Sequence, residues 1–98
     1  MKDFTTVQHI IKAVSANTGI SVDDITSNSR KGHIVRAKQM VMWISRYYTS
    51  ATYHTIAKAL HMKTHANVII GVRAMDDFCW VDKAYGMQLH DFAKSITK

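Results

Sequence analysis

The stretch HMKTHANVIIGVRAM, residues 61–75, decides how the rest of the chain is interpreted. It surrounds an apolar run at residues 68–70 with two histidines four residues apart and with basic and amide side chains. Three structures fit such a run: a metal site, a buried strand, or a helix that touches an acidic polymer. On a helical wheel Val68, Val72 and Met75 form one apolar face. The opposite face carries Lys63, Ala66, Asn67, Ile70 and Arg73.

The residues before this stretch favour the helical interpretation. A short helix comes first, a tight link at residues 61–62 follows, and a second helix is predicted over about residues 63–77. This is the layout of a helix-turn-helix, whose second helix enters the major groove of DNA. A metal site is disfavoured, because no H-E-x-x-H pattern and no cysteine accompany His61 and His65. The short helix carries Tyr53, Ile56, Ala57 and Leu60 on its apolar side.

The N-terminal third of the chain also has helical periodicity. Residues 17–19 form a stop, and Ser21 is predicted to cap a short turn that begins with two aspartates. The segment SNSRKGH, residues 27–33, is polar and basic and is expected to be an exposed loop. The apolar face of the first helix consists of Phe4, Val7, Ile10, Ile11 and Val14.

A long helix is predicted from Ile34, with Arg36, Lys38, Gln39 and Arg46 away from its buried face. Thr49 or Ser50 is predicted to end it and to cap the short helix. The buried face carries Ile34, Ala37, Val41, Ile44 and Tyr48.

The C-terminal part predicts a last helix after a weak break at residues 76–79. Methionines, aromatic residues and Cys79 are expected in the core, together with one of Tyr47 and Tyr48. Because proline is absent and glycine occurs four times, long helices are expected and tight hairpins are not. The sequence therefore predicts one all-α domain, residues 1–98, a bundle of about six helices. The last helix carries Trp80, Tyr85, Leu89, Phe92 and Ile96.

The composition indicates the class of partner. Thirteen Lys and Arg against seven Asp and Glu give a net charge of +6 and a pI near 9.7, which favours a polyanion, nucleic acid first. A single cysteine suits a reducing compartment. With no apolar run of membrane-spanning length and no secretory signal, a cytoplasmic location is expected.

Four landmarks in order resemble domain IV, the C-terminal DNA-binding domain of the bacterial replication initiator DnaA. VSANTGISVDDITSNSR (14–30) is similar to its first helix, acidic turn and basic loop, and RAKQMVMWISRYYT (36–49) to its long helix. TYHTIAKAL (52–60) is similar to its first helix-turn-helix helix. HMKTHANVI (61–69) stands where the family usually has Gly-Gly-Arg-Asp-His-Thr-Thr-Val-Leu. The resemblance implies a domain IV-like, Trp repressor-like helical fold.

The resemblance also implies roles for individual residues. Arg30 matches an arginine that reaches into the minor groove, and Lys38 and Gln39 match backbone-contacting positions. Tyr53 and His54 match an apolar pair that touches thymine methyls. Lys63 keeps the charge of the signature arginine, and His65 keeps the signature histidine that reads bases in the major groove.

Other candidates follow from residue chemistry. Lys31 and Arg36 crowd beside the basic loop, where phosphate contact is expected. Arg73 adds charge to the second helix, and Thr64 and Asn67 can hydrogen-bond base edges or phosphates. The predicted DNA-binding set is Arg30, Lys31, Lys38, Gln39, Tyr53, His54, Lys63, Thr64, His65, Asn67 and Arg73.

The departures from the family signature bear on specificity. Thr64 replaces a base-reading aspartate, Ala66 and Asn67 replace the two threonines, and residues 61–62 replace the glycine pair. Because a bidentate base contact contributes about 1–3 kcal/mol of discrimination, the preferred DNA sequence is expected to change or relax. No glycine-rich phosphate loop before Lys-Ser/Thr is found, so no ATPase module is expected.

The main hypothesis is a stand-alone, nucleoid-associated protein that binds double-stranded DNA sequence-specifically, in replication or transcription control. Its helix at about 63–77 would lie in the major groove, and Arg30 in the minor groove. No cofactor, metal, membrane or small-molecule substrate is expected. Catalysis finds no assembled site, because His90 and Asp91 are merely adjacent in sequence and no nucleophile accompanies them.

An alternative of a different class is a protein–protein interaction module that keeps the fold but no longer reads bases. The altered signature motivates it, and so does the aromatic last helix, which could serve a homodimer or another protein partner. This alternative gains support if Arg30, Lys38, Lys63 and Arg73 fail to share one exposed face.

Overall fold

The computed structural model describes the backbone of residues 2–97 and the side chains of residues 6–97, and its regular structure is helical. This confirms the all-α prediction. Because residues 68–70 lie inside a helix, the strand interpretation is wrong. The Phe4 side chain, expected in the core, lies outside the described side chains. The helices are α1 (Lys2–Thr18), α2 (Val22–Ile25), α3 (Gly32–Tyr48), α4 (Tyr53–Ala59), α5 (Ala66–Val81) and α6 (Lys83–Ile96).

Helix α3 is the central element of the core. It packs against each of the other five helices, most extensively against α5 and α1. Its predicted apolar face is confirmed by four buried residues and by Tyr48, which packs half-buried against the core. Burial of a Val or Ile side chain contributes about 1.5–3 kcal/mol, so this shared face dominates the packing. The buried partners are Val7, Ile10, Ile11 and Val14 on α1 and Val68, Val72 and Met75 on α5.

Local hydrogen bonds set the ends of the N-terminal helices. Gly19 has φ +77°, and its amide donates to the Ser15 carbonyl (2.9 Å), which confirms the predicted stop after α1. The Ser21 hydroxyl accepts from the Asp24 amide (3.1 Å), as predicted for the cap of α2. Helix α3 ends at Tyr48 with Thr49 as its C-cap. The prediction that Thr49 or Ser50 caps α4 is wrong.

Thr52 caps α4, in place of the predicted Thr49 or Ser50. Its hydroxyl oxygen accepts the Thr55 amide at 3.2 Å, which satisfies a first-turn donor. The Thr49 hydroxyl is engaged elsewhere, donating to the Ser45 carbonyl and accepting the Ala51 amide. The turn between α3 and α4 is therefore longer than predicted.

The link from α4 to α5 begins with a Schellman turn. The His61 amide donates to the Lys58 carbonyl (3.2 Å), and the Met62 amide donates to the Ala57 carbonyl (2.8 Å). These two bonds satisfy the last carbonyls of α4. The turn requires a left-handed residue, and His61 adopts φ +58°, a region that glycine occupies without strain.

The boundary between α5 and α6 differs from the prediction. Helix α5 continues through residues 76–79, where a break was expected, and ends at Val81. Asp76 lies within α5, and its carboxylate accepts hydrogen bonds from Trp43 and Tyr47 on α3. Asp82 caps α6, accepting the Tyr85 amide at 3.0 Å. Trp80 consequently belongs to α5 rather than to the last helix.

The expectation that the aromatic residues and methionines fill the core is wrong at two positions. Trp80 is 78% exposed and Met87 is 69% exposed. Tyr85, Phe92 and Met62 pack half-buried against the core, as do Cys79 and Tyr48. Met40, Met42, Met75 and Leu89 are buried.

Replacing His61 tests the cost of the left-handed turn. A Cβ in this conformation costs roughly 1–2 kcal/mol, so the His61→Gly variant should have a free energy of unfolding about 1 kcal/mol above that of His61→Ala. Urea denaturation of the two variants measures this difference. Ala keeps the Cβ and is the matched control; equal stabilities would show that the turn carries no strain.

Candidate nucleic-acid interface

The start of α5 lies three residues later than predicted. The first carbonyl to accept within the helix is that of His65, from the Val68 amide at 3.0 Å and the Ile69 amide at 3.2 Å. Lys63 and Thr64 therefore precede the helix, and His65 is its N-cap residue. Residues 60–65 connect α4 to α5, so the predicted start of the helix at about residue 63 and the predicted tight link at 61–62 are both wrong.

Helix α5 presents a clear division between buried and exposed faces. Val68, Val72 and Met75 are buried, as the wheel predicted. The exposed side carries Ala66, Asn67, Ile70 and Arg73. Ile70 is 64% exposed, which is unusual for so large an apolar side chain on a packed helix. Ile70 is absent from the DNA-binding set predicted from the sequence, although the helical wheel placed it beside Asn67.

The beginning of α4 meets the link before α5. The rings of His54 and His65 are 6.3 Å apart between centroids, and both side chains are exposed. Tyr53 is half-buried, and the Arg46 guanidinium carbon lies 4.7 Å from its ring centroid. Two of the predicted DNA-binding residues, from separate segments, are thus brought together, while Tyr53 is partly covered by α3.

The basic loop before α3 is held by internal hydrogen bonds. The Ser29 amide donates to the Ser27 hydroxyl (3.2 Å), and the Lys31 amide donates to the Ser29 hydroxyl (3.3 Å). Arg30 and Lys31 are exposed, and Lys31 is the N-cap residue of α3. Two cationic side chains are therefore displayed at the start of this helix.

Lys38 does not share that exposure. Only 8% of the residue is exposed, and its ammonium donates to the Ser27 carbonyl. Desolvation by burial lowers the pKa of the Lys38 ammonium below its usual value. The prediction that Lys38 lies away from the buried face is wrong, because its aliphatic stem packs inward and the loop carbonyl satisfies its charge. Lys38 is thus a tether for the Arg30 loop.

Gln39 and Arg36 lie beside α5 and α6. A Cβ added at Gly71 would be 3.7 Å from Gln39 Cγ and would collide with Met42 Sδ, so α3 approaches α5 closely there. Arg36 places its guanidinium carbon 3.9 Å from the Phe78 ring centroid. Cation–π stacking packs half-buried Arg36 against Phe78, and its phosphate contact stays a prediction.

The segments of this surface carry basic side chains and no carboxylates. No Asp or Glu occurs between Asp24 and Asp76, a span that contains the basic loop, α4, the link and the N-terminal half of α5. Arg30, Lys63 and Arg73 are exposed, but Lys38 is buried. The four cations therefore do not share one exposed face, and on this criterion the interaction-module alternative gains support. Among the described residues, no group of three His, Cys, Asp or Glu side chains could hold a metal ion. The surface offers cations, amides and imidazoles to a ligand.

Comparison with known proteins finds similarity to bacterial DnaA proteins. The family model described as bacterial DnaA protein helix-turn-helix matches residues 7–75. The chain is 26% identical over 97 residues to the chromosomal replication initiator protein DnaA of Flavobacterium psychrophilum, covering 99% of this chain and 20% of that protein. With the DnaA of Nostoc punctiforme it shares 37% identity over 87 residues, 89% of this chain and 19% of that one.

A solved structure shares the fold. The crystal structure of a DNA replication initiation factor superimposes with a TM-score of 0.88 at 23% identity, over 98% of this chain and 29% of the other. The chain spans about a fifth of the length of the curated relatives it matches. In the described part of the chain, no helix combines the length and apolarity needed to cross a bilayer.

Substituting Lys38 tests its role as a tether. In Lys38→Met the Ser27 carbonyl loses its charged donor, a bond of about 1.5–3 kcal/mol, so the amides of Ser29 and Lys31 should exchange with solvent roughly 10- to 150-fold faster. NMR hydrogen exchange measures this, with Lys58→Met on the exposed side of α4 as the control. Unchanged protection at both amides would contradict the tether.

Proposed function

This chain belongs to the family of bacterial DnaA helix-turn-helix domains, whose model it matches over residues 7–75, and from that premise we propose that it binds double-stranded DNA. The binding surface consists of the α4 N-terminus, the α4–α5 link, the exposed side of α5 and the basic loop at Arg30. The observation that carries the proposal is the exposed, carboxylate-free character of these segments over residues 25–75.

The orientation follows from helix electrostatics. The N-terminus of α5 has unsatisfied amides and the positive end of the helix dipole, both of which favour phosphate oxygens. Lys63, in the link immediately before it, adds a flexible cation. Helix α5 lies in the major groove and leads with its first turn. Arg30, exposed on a tethered loop, lies in the neighbouring minor groove, where the negative potential favours a guanidinium.

Base reading falls to a few exposed side chains. Asn67, the second residue of α5, has a side-chain amide whose oxygen and nitrogen can bond adenine N6 and N7. His65, at the N-cap, donates or accepts at a base edge. Ile70, one turn further along, supplies an apolar contact for a thymine methyl. Arg73 and Lys31 contact phosphates and set the position on the duplex.

The preferred DNA sequence differs from that of the family signature. Thr64, before the helix, has a neutral hydroxyl that both donates and accepts, so it does not select cytosine as the acceptor-only signature aspartate does. Ala66 offers no side-chain hydrogen bond. Binding is sequence-specific through Asn67, His65 and Ile70. Its cellular role is occupancy of replication-origin sites or competition there with an initiator, with transcription control as a further consequence of the same binding.

The first test is salt dependence. Each neutralised phosphate contributes about −0.9 to the slope of log affinity against log salt. Four cationic side chains (Arg30, Lys31, Lys63 and Arg73) should give a slope of about −4, and Arg30→Ala should make the slope shallower by about 1. Fluorescence anisotropy with a random-sequence duplex measures both. A flat salt response, or no binding at low salt, would overturn the proposal.

The second test separates base reading from phosphate contact. His65→Ala and Asn67→Ala should each weaken binding to a sequence selected from a random duplex pool by about 1–3 kcal/mol. They should leave random-duplex affinity nearly unchanged. His9→Ala, an exposed histidine on α1, is the matched control. Equal losses on selected and random duplexes would show that the two side chains contact phosphates and do not read bases. No loss on either duplex would favour an interaction module that keeps only the fold.

A further inference from the structure

A groove of about 800 Å³ lies between the C-terminal half of α3, α5 and α6, outside the proposed DNA surface. One wall is the aromatic row Trp43, Tyr47 and Tyr48, and α6 forms the other. Gly86 permits the close approach of α6, because a Cβ there would lie 3.2 Å from both the Cβ and the carbonyl oxygen of Cys79. The groove is therefore a consequence of helix packing.

The aromatic wall is held in place by hydrogen bonds that converge on it. The ring centroids of Trp43 and Tyr47 are 5.4 Å apart. The Asp76 carboxylate accepts from Trp43 Nε1 and from the Tyr47 hydroxyl, each at 2.8 Å. The Tyr48 hydroxyl bonds to His90 Nδ1 on α6. Side chains fixed in this way lose little conformational entropy when a ligand binds.

Further apolar side chains are exposed near the groove, at the corner between α5 and α6. Tyr47 and Met87 line the groove and are largely exposed. Lys83, also in the lining, places its ammonium 5.7 Å from the Trp80 ring centroid, and Val81 beside it is exposed. Exposed apolar residues that form a continuous patch usually mark an interaction surface.

The charge of the groove is opposite to that of the molecule. The chain carries +6, yet four of its seven acidic residues fall between Asp76 and Asp91. Asp76 and Asp91 line the groove, and Lys83 is the one Lys or Arg in that lining. A ligand complementary to this surface is apolar and cationic.

We propose that the groove binds an amphipathic helix of a partner protein, which lays Leu, Met or Phe side chains along the aromatic wall and aims Lys or Arg at Asp91. Helix-in-groove recognition uses apolar anchors at i, i+3, i+4 and i+7, which suits an open groove with an aromatic wall. An arginine beside Trp43 or Tyr47 also gains cation–π attraction.

Two other occupants are less well matched. A second copy would place the same groove against itself about a two-fold axis, which brings the carboxylates of Asp76 and Asp91 toward their counterparts. DNA is repelled by the same two carboxylates. The groove also begins at Asp76, ten residues along α5 from Ala66, a separation of about 15 Å.

The test uses the whole chain and two synthetic helical peptides of about 18 residues with the same Leu and Ala face. One carries Lys and Arg beside that face, and the other carries Glu at the same positions. NMR titration should show the cationic peptide shifting the Trp43 indole and Gly86 amide signals, with affinity at least tenfold above that of the Glu peptide. The net charge of +6 attracts the Glu peptide more than the cationic peptide. A preference for the cationic peptide must therefore come from the groove itself.

Charge reversal provides the control. Asp91→Lys should reduce affinity for the cationic peptide about tenfold, whereas Asp23→Lys, the same change on exposed α2, should have little effect. Binding should persist with saturating duplex DNA present. Equal affinities for the two peptides, or equal losses of affinity in the two variants, would overturn the proposal. NMR signal shifts confined to residues 66–73 would also overturn it, as would a homodimer that sedimentation detects and that buries Trp43.

Discussion

Burial of α3 is the constraint on which the rest of the molecule depends. Its apolar face meets α1 and α5, and its ends meet α2, α4 and α6. Because Val68, Val72 and Met75 must turn toward it, the rotation of α5 about its own axis is fixed. Asn67, Ile70 and Arg73 are thereby directed outward. The exposed surface of α5 is thus a consequence of core packing. Because one side of the helix is buried against α3, the opposite side is left free for a ligand.

Periodicity predicted the helices and their buried faces, since burial repeats with the helical turn and is visible in a local window. Helix ends were less predictable. Asp76 suggested a break, but it accepts from Trp43, 33 residues away in sequence, and no local pattern reports such a bond. Lys38 looked solvent-exposed for the same reason, because its partner is the Ser27 carbonyl of another segment. The groove likewise depends on distant contacts, since Asp76 joins Trp43 and Tyr47 in its lining.

Acidic residues divide the chain into two chemical surfaces. The stretch from 25 to 75 has none, and the region from Asp76 to Asp91 has four of the seven. One polypeptide can therefore present a cationic surface to a polyanion and an anionic groove to a basic helix. The net charge of +6 attracts acidic proteins at long range, so selection against them in the groove depends on the local carboxylates of Asp76 and Asp91.

Helix α5 belongs to both surfaces, and it is unbroken from Ala66 to Val81. A rod of this length spans roughly 24 Å, so tilting one end by about 5° displaces the other by roughly 2 Å, more than a hydrogen bond tolerates. A tilt imposed at one end of α5 would therefore displace the other end, because the helix contains no break at which the motion could be absorbed. If two ligands were coupled in this way, thermodynamic reciprocity would require that each change the affinity for the other by the same factor.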